Sequence, residues 1–341
     1  VDIGCGMCAV KNSLTEMPIK LLKKIFGGSK DNQGGIRSAI PVGFSHHKKV
    51  QDKKLMPKLH TSKEFYIQAR VATSEFYPVI SQEYQSALHQ LGTLGGGNHF
   101  IEIQKGSDGY IWIMIHSGSR NLGYKVARHY NNIAKEINEK WYSSVSKKVD
   151  LAFLSLDSIE GQAYLREMNY CLEFAKASRK HMMETIEIIF IDTLYKEGIG
   201  IIFDNIIDVH HNYATIENHF GKNVVIHRKG ATSAREGQLG IIPGSQGTKS
   251  YIVKGLGNPE SFNSCSHGAG RLMSRTKAKE TLNLEAEITK MDKKGILHSI
   301  RHKNNLDEAP SAYKNIDVVM ANQKDLVEII VELTPLGVIK G

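Results

Sequence analysis

The chain has 341 residues, a formal net charge of +9, and 41% hydrophobic against 23% charged residues. At about 150 residues per domain that is one large domain or two ordinary ones, and the balance excludes a disordered, collagenous or coiled-coil chain. No uncharged apolar stretch approaches the roughly 18 residues of a spanning helix, so no membrane partner is expected, while the basic excess suits a polyanion such as nucleic acid.

The sequence opens on Val1-Asp2-Ile3-Gly4-Cys5-Gly6 with no methionine, which points to an N-terminally incomplete chain. Between Lys20 and Glu64 eleven basic residues face three acidic ones, either a solvated surface segment or a landing strip for phosphates. Strands are expected at Phe100–Gln104 and Tyr110–His116, joined by a turn at Gly106-Ser107-Asp108-Gly109. Val126, Tyr130, Ile133 and Ile137 keep the 3/4 spacing of a helix face. A longer helix is expected from Asp157, with Glu160 completing a capping box, along Met168, Cys171, Ala175, Met182, Ile186 and Ile189 to a stop near Gly198. Short apolar runs follow at Ile201–Phe203, Val224–Ile226, Leu239–Ile242 and Ser250–Val253, and another helix is expected after His267. From Arg271 to Lys303 nine basic residues face four acidic ones. Strands and helices interleave without repeat or linker, which favours one large α/β or α+β domain over residues 1–341.

The four cysteines, Cys5, Cys8, Cys171 and Cys265, follow no signal-like start, so a reducing, cytoplasmic setting is expected. Cys171 falls on a helix stripe and reads as core, and Cys8 as structural. The 15 histidines and 31 glycines gather in the same short segments. Glycine stands with histidine or cysteine in Asp2–Gly6, Gly95–Glu102, His116–Arg120 and Ser264–Arg271, and a fifth segment, Asp208–Asn212, sets two histidines together without glycine. Glycine lets backbone approach a ligand closely, so histidine or cysteine beside it marks a site on a tight loop. Asp2, Cys5, His99, His116 and His211 offer more donors than one tetrahedral ion needs. Two divalent ions sharing the thiolate would use them; softness favours zinc, and the carboxylate also admits manganese or cobalt. The Pro243–Ser250 and His227–Thr232 segments have the small residues, hydroxyls and lysine of a phosphate nest, without Walker A spacing.

The segments DIGCGM, GTLGGGNHFIE, HSGSRNLG, HRKGAT, GSQGTKSYIV, SCSHGAGRLMSR and PLGVIKG occur in one order from residue 2 to residue 341, and together they resemble the RtcB family of RNA-splicing ligases. The resemblance implies an α+β fold with β-sandwich-like mixed sheets flanked by helices. It also implies a GTP- and manganese-dependent RNA ligase that acts in tRNA splicing or RNA repair. Such an enzyme joins an RNA 3′-phosphate or 2′,3′-cyclic phosphate end to a 5′-hydroxyl end through a GMP carried on histidine.

Carried over by motif, the guanylylated residue is His267, and two manganese ions fall to Asp2, Cys5, His99, His116 and His211. Nucleotide contacts fall to Asn98, His99, Phe100, Ile101, Glu102, His211, Asn212, Pro243, Gly244, Ser245, Gln246, Ser250, His267, Gly268, Ala269, Gly270, Tyr313 and Lys340. Glu102 suits guanine, because a carboxylate accepts from both N1–H and N2–H. Arg120, Lys229 and Arg271 are candidates for RNA phosphates, and an archease-type activator is a candidate partner. Gln246 replaces the family's usual methionine, which is tolerated if the backbone makes the phosphate contact. The family carries chain ahead of DIGCGM, so Asp2 and Cys5 are expected to bind metal less tightly without it.

Two rival readings share these residues. A two-metal phosphodiesterase or phosphatase would hydrolyse phosphate esters without regard to GTP. A non-catalytic RNA-binding protein would show salt-sensitive binding that metal removal leaves unchanged.

Overall fold

The computed structural model describes residues 2–28, 34–59, 76–144 and 150–341. Val1 and four members of the basic strip, Lys30, Asp31, Lys63 and Glu64, lie outside the described residues. The chain forms two compact units from interleaved segments: Val1–Cys5, His46–Leu91 and Gly118–Ser178 in one, and Gly6–Ser45, Gly92–Ser117 and Arg179–Gly341 in the other.

Four helices bear on these units first: α1 (Ile19–Phe26) and α2 (Ile36–Ala39) in the second, α3 (Pro78–Gln90) and α4 (Arg120–Lys140) in the first. The first unit also holds the N-terminal half of α5 (Ile159–Tyr195). Proline suits the opening of α3, where its missing N–H has no intrahelical partner. The amides of that first turn that lack helical acceptors, Val79 and Ile80, donate to the buried Glu167 carboxylate at 2.9 and 2.8 Å. On α4 the inner face carries Val126 and Tyr130 as expected, but Ala134 and Asn138 are its buried members while Ile133 and Ile137 are half-buried. Asn138 is inside because its amide brackets the Phe153 backbone at 2.7 and 3.0 Å. The cap of α5 also shifts by one residue from Asp157: Ser158 Oγ accepts from the Gly161 amide at 3.0 Å, since either neighbour has the short oxygen that a cap requires.

The second unit is built on a seven-stranded sheet in the order β4 (Ile207–His210), β1 (Gly6–Asn12), β3 (Ile111–Ser117), β2 (Phe100–Gly106), β11 (Val327–Lys340), β9 (Ser250–Gly255), β8 (Leu239–Ile242). Every pair in it is antiparallel, and the edge strands β4 and β8 approach one another, so the sheet is nearly closed. A hairpin of β5 (Asn212–His219) and β6 (Lys222–Lys229) and a short pair of β7 (Ala231–Ser233) and β10 (Ser264–Ser266) accompany it. The central strands read as unbroken apolar runs because both faces are covered. Cys8, Val10, Ile101, Ile113, Ile115 and Ile339 pack with α1, α2 and the α5 residues Met182, Ile186 and Phe190. Met7, Ala9, Phe100, Met114, Val209, Ile252 and Val338 pack oppositely, with Met291 of α7 (Leu284–Lys293), Ile296 and Ile300. Helices thus flank a large antiparallel sheet, an α+β fold.

Two expectations give way here. Ile201–Phe203 forms no strand, only an isolated bridge from Phe203 to Asn12. The helix expected after His267 begins at Arg275, as α6 (Arg275–Thr281) capped by Ser274. Before it the backbone is engaged elsewhere: Ser266 Oγ accepts from the Gly268 amide at 3.3 Å and Pro243 O from the Ala269 amide at 3.0 Å. Among the described residues no helix is long and apolar enough to cross a membrane.

Candidate active site

Strand register gathers the polar residues. Val209, Met7, His116, Phe100 and Lys340 form one continuous row across β4, β1, β3, β2 and β11. The neighbouring row runs through Ala9, Met114, Glu102 and Val338. Because side chains alternate, His116, Phe100, Glu102 and Lys340 share one face, and Ile101 points to the opposite core with Ile103 and Ile115.

His99, His116 and His211 are buried, with ring centroids 5.1 Å apart for His99–His116 and 4.9 Å for His116–His211. His99 Nδ1 donates to Leu94 O at 2.9 Å, over a turn where Gly95 and Gly97 have φ of 83° and 73°, and His116 Nδ1 donates to Asn98 O at 3.1 Å. A carbonyl only accepts, so each Nδ1 carries the proton and each Nε2 presents a lone pair. His116 Nε2 lies 3.1 Å from His211 Nε2. Burial first, then neighbouring histidines, holds the pKa of His116 well below the usual imidazole range; burial and His267 do the same at His211. Burial thus favours the neutral form of His116 and His211, carbonyls fix the far nitrogens of His99 and His116, and the Nε2 atoms of His116 and His211 converge, an arrangement that fits a divalent cation. At the base of His211, Thr232 Oγ1 donates to His210 O at 3.0 Å.

The His267 ring lies 4.9 Å from that of His211. Its Nδ1 is buried without a hydrogen-bond partner, and burial lowers its pKa against an opposing effect of the Gly230 carbonyl. Gly230 packs against this ring and has a φ of 75°, the left-handed conformation that favours glycine. Both rings line a cavity of 210 Å³ with His116, Asn98, Phe100, Pro243–Gln246, Gly268–Gly270, Arg271, Arg275, Glu308, Tyr313 and Lys340. Three cations, Arg271, Arg275 and Lys340, thus meet one carboxylate, Glu308, a balance that favours a polyanion.

In the Pro243–Gln246 loop two amides are engaged: Gly244 N donates to Ser250 Oγ at 3.3 Å and Ser245 N to Thr248 Oγ1 at 2.6 Å. Gln246 Nε2 donates to Glu308 O at 2.7 Å. Arg271 donates to Glu308 Oε1 at 3.0 Å and to Asp307 O at 2.6 Å, and lies over the Tyr313 ring 5.2 Å from its centroid. Arg275 reaches the same Oε1 at 2.8 Å, and the Tyr313 hydroxyl donates to Oε2. Burial raises the Glu308 pKa, but Lys340, Tyr313, Arg275 and Arg271 outweigh it and keep the carboxylate low. Glu308 escapes the motif reading, since it sits in no glycine or histidine motif, and Arg275 closes the SCSHGAGRLMSR segment but carries no role there beyond one base in a basic cluster.

Glu102, one row below the cavity, is 1% exposed. Burial pushes its pKa up to about 8, despite Lys340 and a 2.7 Å bond from Gln104 Nε2, which also reaches Ser250 Oγ at 3.3 Å. Burial lowers the pKa of Lys340 in turn, opposed by Glu308 and Glu102. Asn212 and Lys229 pair at the base of the β5–β6 hairpin, where Lys229 is exposed.

Asp2, Cys5 and Arg120 belong to the first unit. Asp2 Oδ1 accepts from Ser119 N at 3.0 Å, over Gly118, where a Cβ would fall 2.2 Å from Asp2 Oδ2. Cys5 is buried, its amide donates to Asp2 O at 3.1 Å, and it immediately precedes β1. Burial lowers the Arg120 pKa against the opposing charges of Asp2 and Cys5.

The sequence profile described as tRNA-splicing ligase RtcB matches residues 1–341. RNA-splicing ligase RtcB1 of an Escherichia coli strain is 39% identical over 352 residues, spanning all of this chain and 82% of its own. RNA-splicing ligase RtcB of Escherichia coli K12 is 38% identical over 353 residues with the same shares. The tRNA-splicing ligase RtcB of Aeropyrum pernix is 32% identical over 400 residues, spanning all of this chain and 80% of its own. A profile matched from end to end, together with relatives at this identity over the full chain, places the chain in the RtcB family of RNA-splicing ligases.

Proposed function

We propose that this cytoplasmic protein joins an RNA 3′-phosphate or 2′,3′-cyclic phosphate end to a 5′-hydroxyl end, consuming GTP and carrying GMP on His267. The observation that carries the reading is His267 itself: a ring with a buried, unpartnered Nδ1, kept neutral by burial, in a cavity lined by three cations. A neutral imidazole is a nucleophile at the α-phosphorus of GTP. Its attack forms an N–P bond and breaks the P–O bond to the departing pyrophosphate. The RNA 3′-phosphate oxygen then takes the GMP, breaking the N–P bond as the imidazole regains its lone pair. The 5′-hydroxyl attacks the activated RNA phosphorus, forming the phosphodiester, releasing GMP and losing its proton. A cyclic phosphate is first opened by water to the 3′-phosphate.

His99, His116 and His211 would hold divalent metal, with Asp2 and Cys5 added on the strength of their motif. Two bound manganese ions would supply Lewis-acid neutralisation of phosphate charge. Arg271, Arg275 and Lys340 place fixed positive charge beside the phosphates, Tyr313 offers a ring face to the base, and ionised Glu102 would accept from guanine N1–H and N2–H. Lys229 and Arg120 suit RNA phosphates, and an archease-type activator remains the proposed protein partner.

The test is ligation of two RNA strands, one ending in 2′,3′-cyclic phosphate and one beginning with 5′-hydroxyl. Joined product that requires both GTP and manganese, and is absent with His267→Ala, is expected. Phosphate-ester hydrolysis indifferent to GTP would replace this reading with a two-metal phosphodiesterase.

A further inference from the structure

Behind the histidine cluster, on the reverse face of the sheet, lies a fully buried arginine, Arg179 of α5. Its Nε and Nη2 donate to the two oxygens of Asp208 at 2.8 and 2.7 Å. Nη1 donates to Ser117 O at 3.0 Å, and Nη2 also to His210 Nδ1 at 3.3 Å. Ser117 follows His116, and His210 precedes His211. The strands concerned, β3 with His116 and β4 ending just before His211, are not neighbours. β1 separates them, with Gly6 paired to Ser117 on one side and to His210 on the other. The guanidinium therefore spans β1 behind Gly6, where a Cβ would stand 3.0 Å from Nη1 and 2.4 Å from Val209 O. A side-chain-free residue in the middle strand lets one planar fork hold both outer strands.

We propose that Arg179 is a positioning residue, whose bridge behind Gly6 from Ser117 to Asp208 and His210 sets the distance between the metal-binding nitrogens of His116 and His211. The inference rests on the metal reading given above. A buried Arg–Asp pair is weak evidence for stability, because its desolvation cost rivals its Coulomb gain. Its placement one residue from each histidine gives it a different use: a two-nitrogen site needs its donors held to about 0.5 Å, and residues supporting metal ligands typically change metal affinity about 10- to 100-fold. Lysine at this position keeps the charge but has one nitrogen in place of a fork, and cannot reach Asp208, Ser117 and His210 together.

The experiment is Mn²⁺ titration of metal-free full chain by calorimetry, with the Mn²⁺ electron paramagnetic resonance spectrum recorded, for wild type, Arg179→Lys and His116→Ala, each checked for fold by far-UV circular dichroism. The expected result is about a 10- to 100-fold weaker Mn²⁺ affinity in folded Arg179→Lys and an altered spectrum for the bound ion. If Arg179→Lys loses its fold, the same titration on His210→Ala decides, with weaker Mn²⁺ binding expected and wild-type binding contradicting the proposal. Folded Arg179→Lys that binds Mn²⁺ as wild type does, while His116→Ala does not, overturns the role of Arg179 and leaves the metal site standing. Binding that His116→Ala leaves intact, or a wild type that binds no Mn²⁺, overturns the metal reading and the inference with it.

Discussion

His116 Nε2 and His211 Nε2 stand 3.1 Å apart in a buried cluster, with the His116 Nδ1 proton given to the Asn98 carbonyl. That pairing predicts stabilisation by metal. A ligand at 100 times its dissociation constant adds about 2.7 kcal/mol to the folded state. Manganese should therefore raise the melting temperature of the metal-free protein in a concentration-dependent way. The rise should vanish in His116→Ala and in His211→Ala, as read by thermal unfolding with and without chelator.

Glu102 predicts a pH dependence of nucleotide binding. Its carboxyl titrates near 8 in the free protein because it is buried, whereas guanine needs the ionised form. Below that pH, binding must release a proton, so GMP affinity should climb by up to about tenfold per unit as pH rises from 6 and level off above 8. Glu102→Gln should bind GMP more weakly, with a flat profile. A wild-type affinity that falls between pH 6 and pH 8 would remove Glu102 from guanine recognition. For stability the sign is the reverse: a raised carboxyl pKa means the folded form holds its proton more tightly, so the stabilising effect is present below the unfolded value and lost as pH rises towards 8.

A second buried ion pair supports the strand that leads to His267. Arg228, 1% exposed, donates to Glu217 Oε1 and Oε2 at 2.6 and 3.0 Å, to Ser264 Oγ at 2.9 Å and to Phe262 O at 2.9 Å. Ser264 opens β10, and His267 follows that strand. Arg228→Met leaves the Glu217 carboxylate buried without its main partner and should cost about 3–5 kcal/mol in urea unfolding at neutral pH. Hydrogen bonds from Arg228 hold the Glu217 pKa down to about 2. Its stabilisation is therefore complete above the ordinary carboxyl range and lost as pH falls towards 2, and the gap between Arg228→Met and wild type should narrow over the same interval.

Strands β2 and β3 are legible because their Ile-rich apolar runs are joined by a Gly-Ser-Asp-Gly turn, a purely local signal. That His99, His116 and His267 belong to a site is legible from a different kind of sign, glycines beside each one that permit close approach, whereas His211 has no glycine near it and shows only as half of a His-His pair. Glu308, Arg179 and Asp208 carry no such sign. Each is an ordinary charged residue until the fold sets it against partners far along the chain, as Arg179 is set against Ser117. The helix expected after His267 starts only at Arg275 for a related reason: the amides of Gly268 and Ala269 bond to Ser266 and Pro243, a competition that periodicity does not register.

The most direct measurement is covalent labelling of the protein with GTP carrying the label on its α-phosphate, in the presence of manganese. An acid-labile, hydroxylamine-sensitive label on wild type that maps to His267 and disappears in His267→Ala is the predicted result. A wild type that takes no label, or a His267→Ala variant labelled as fully as wild type, would contradict it.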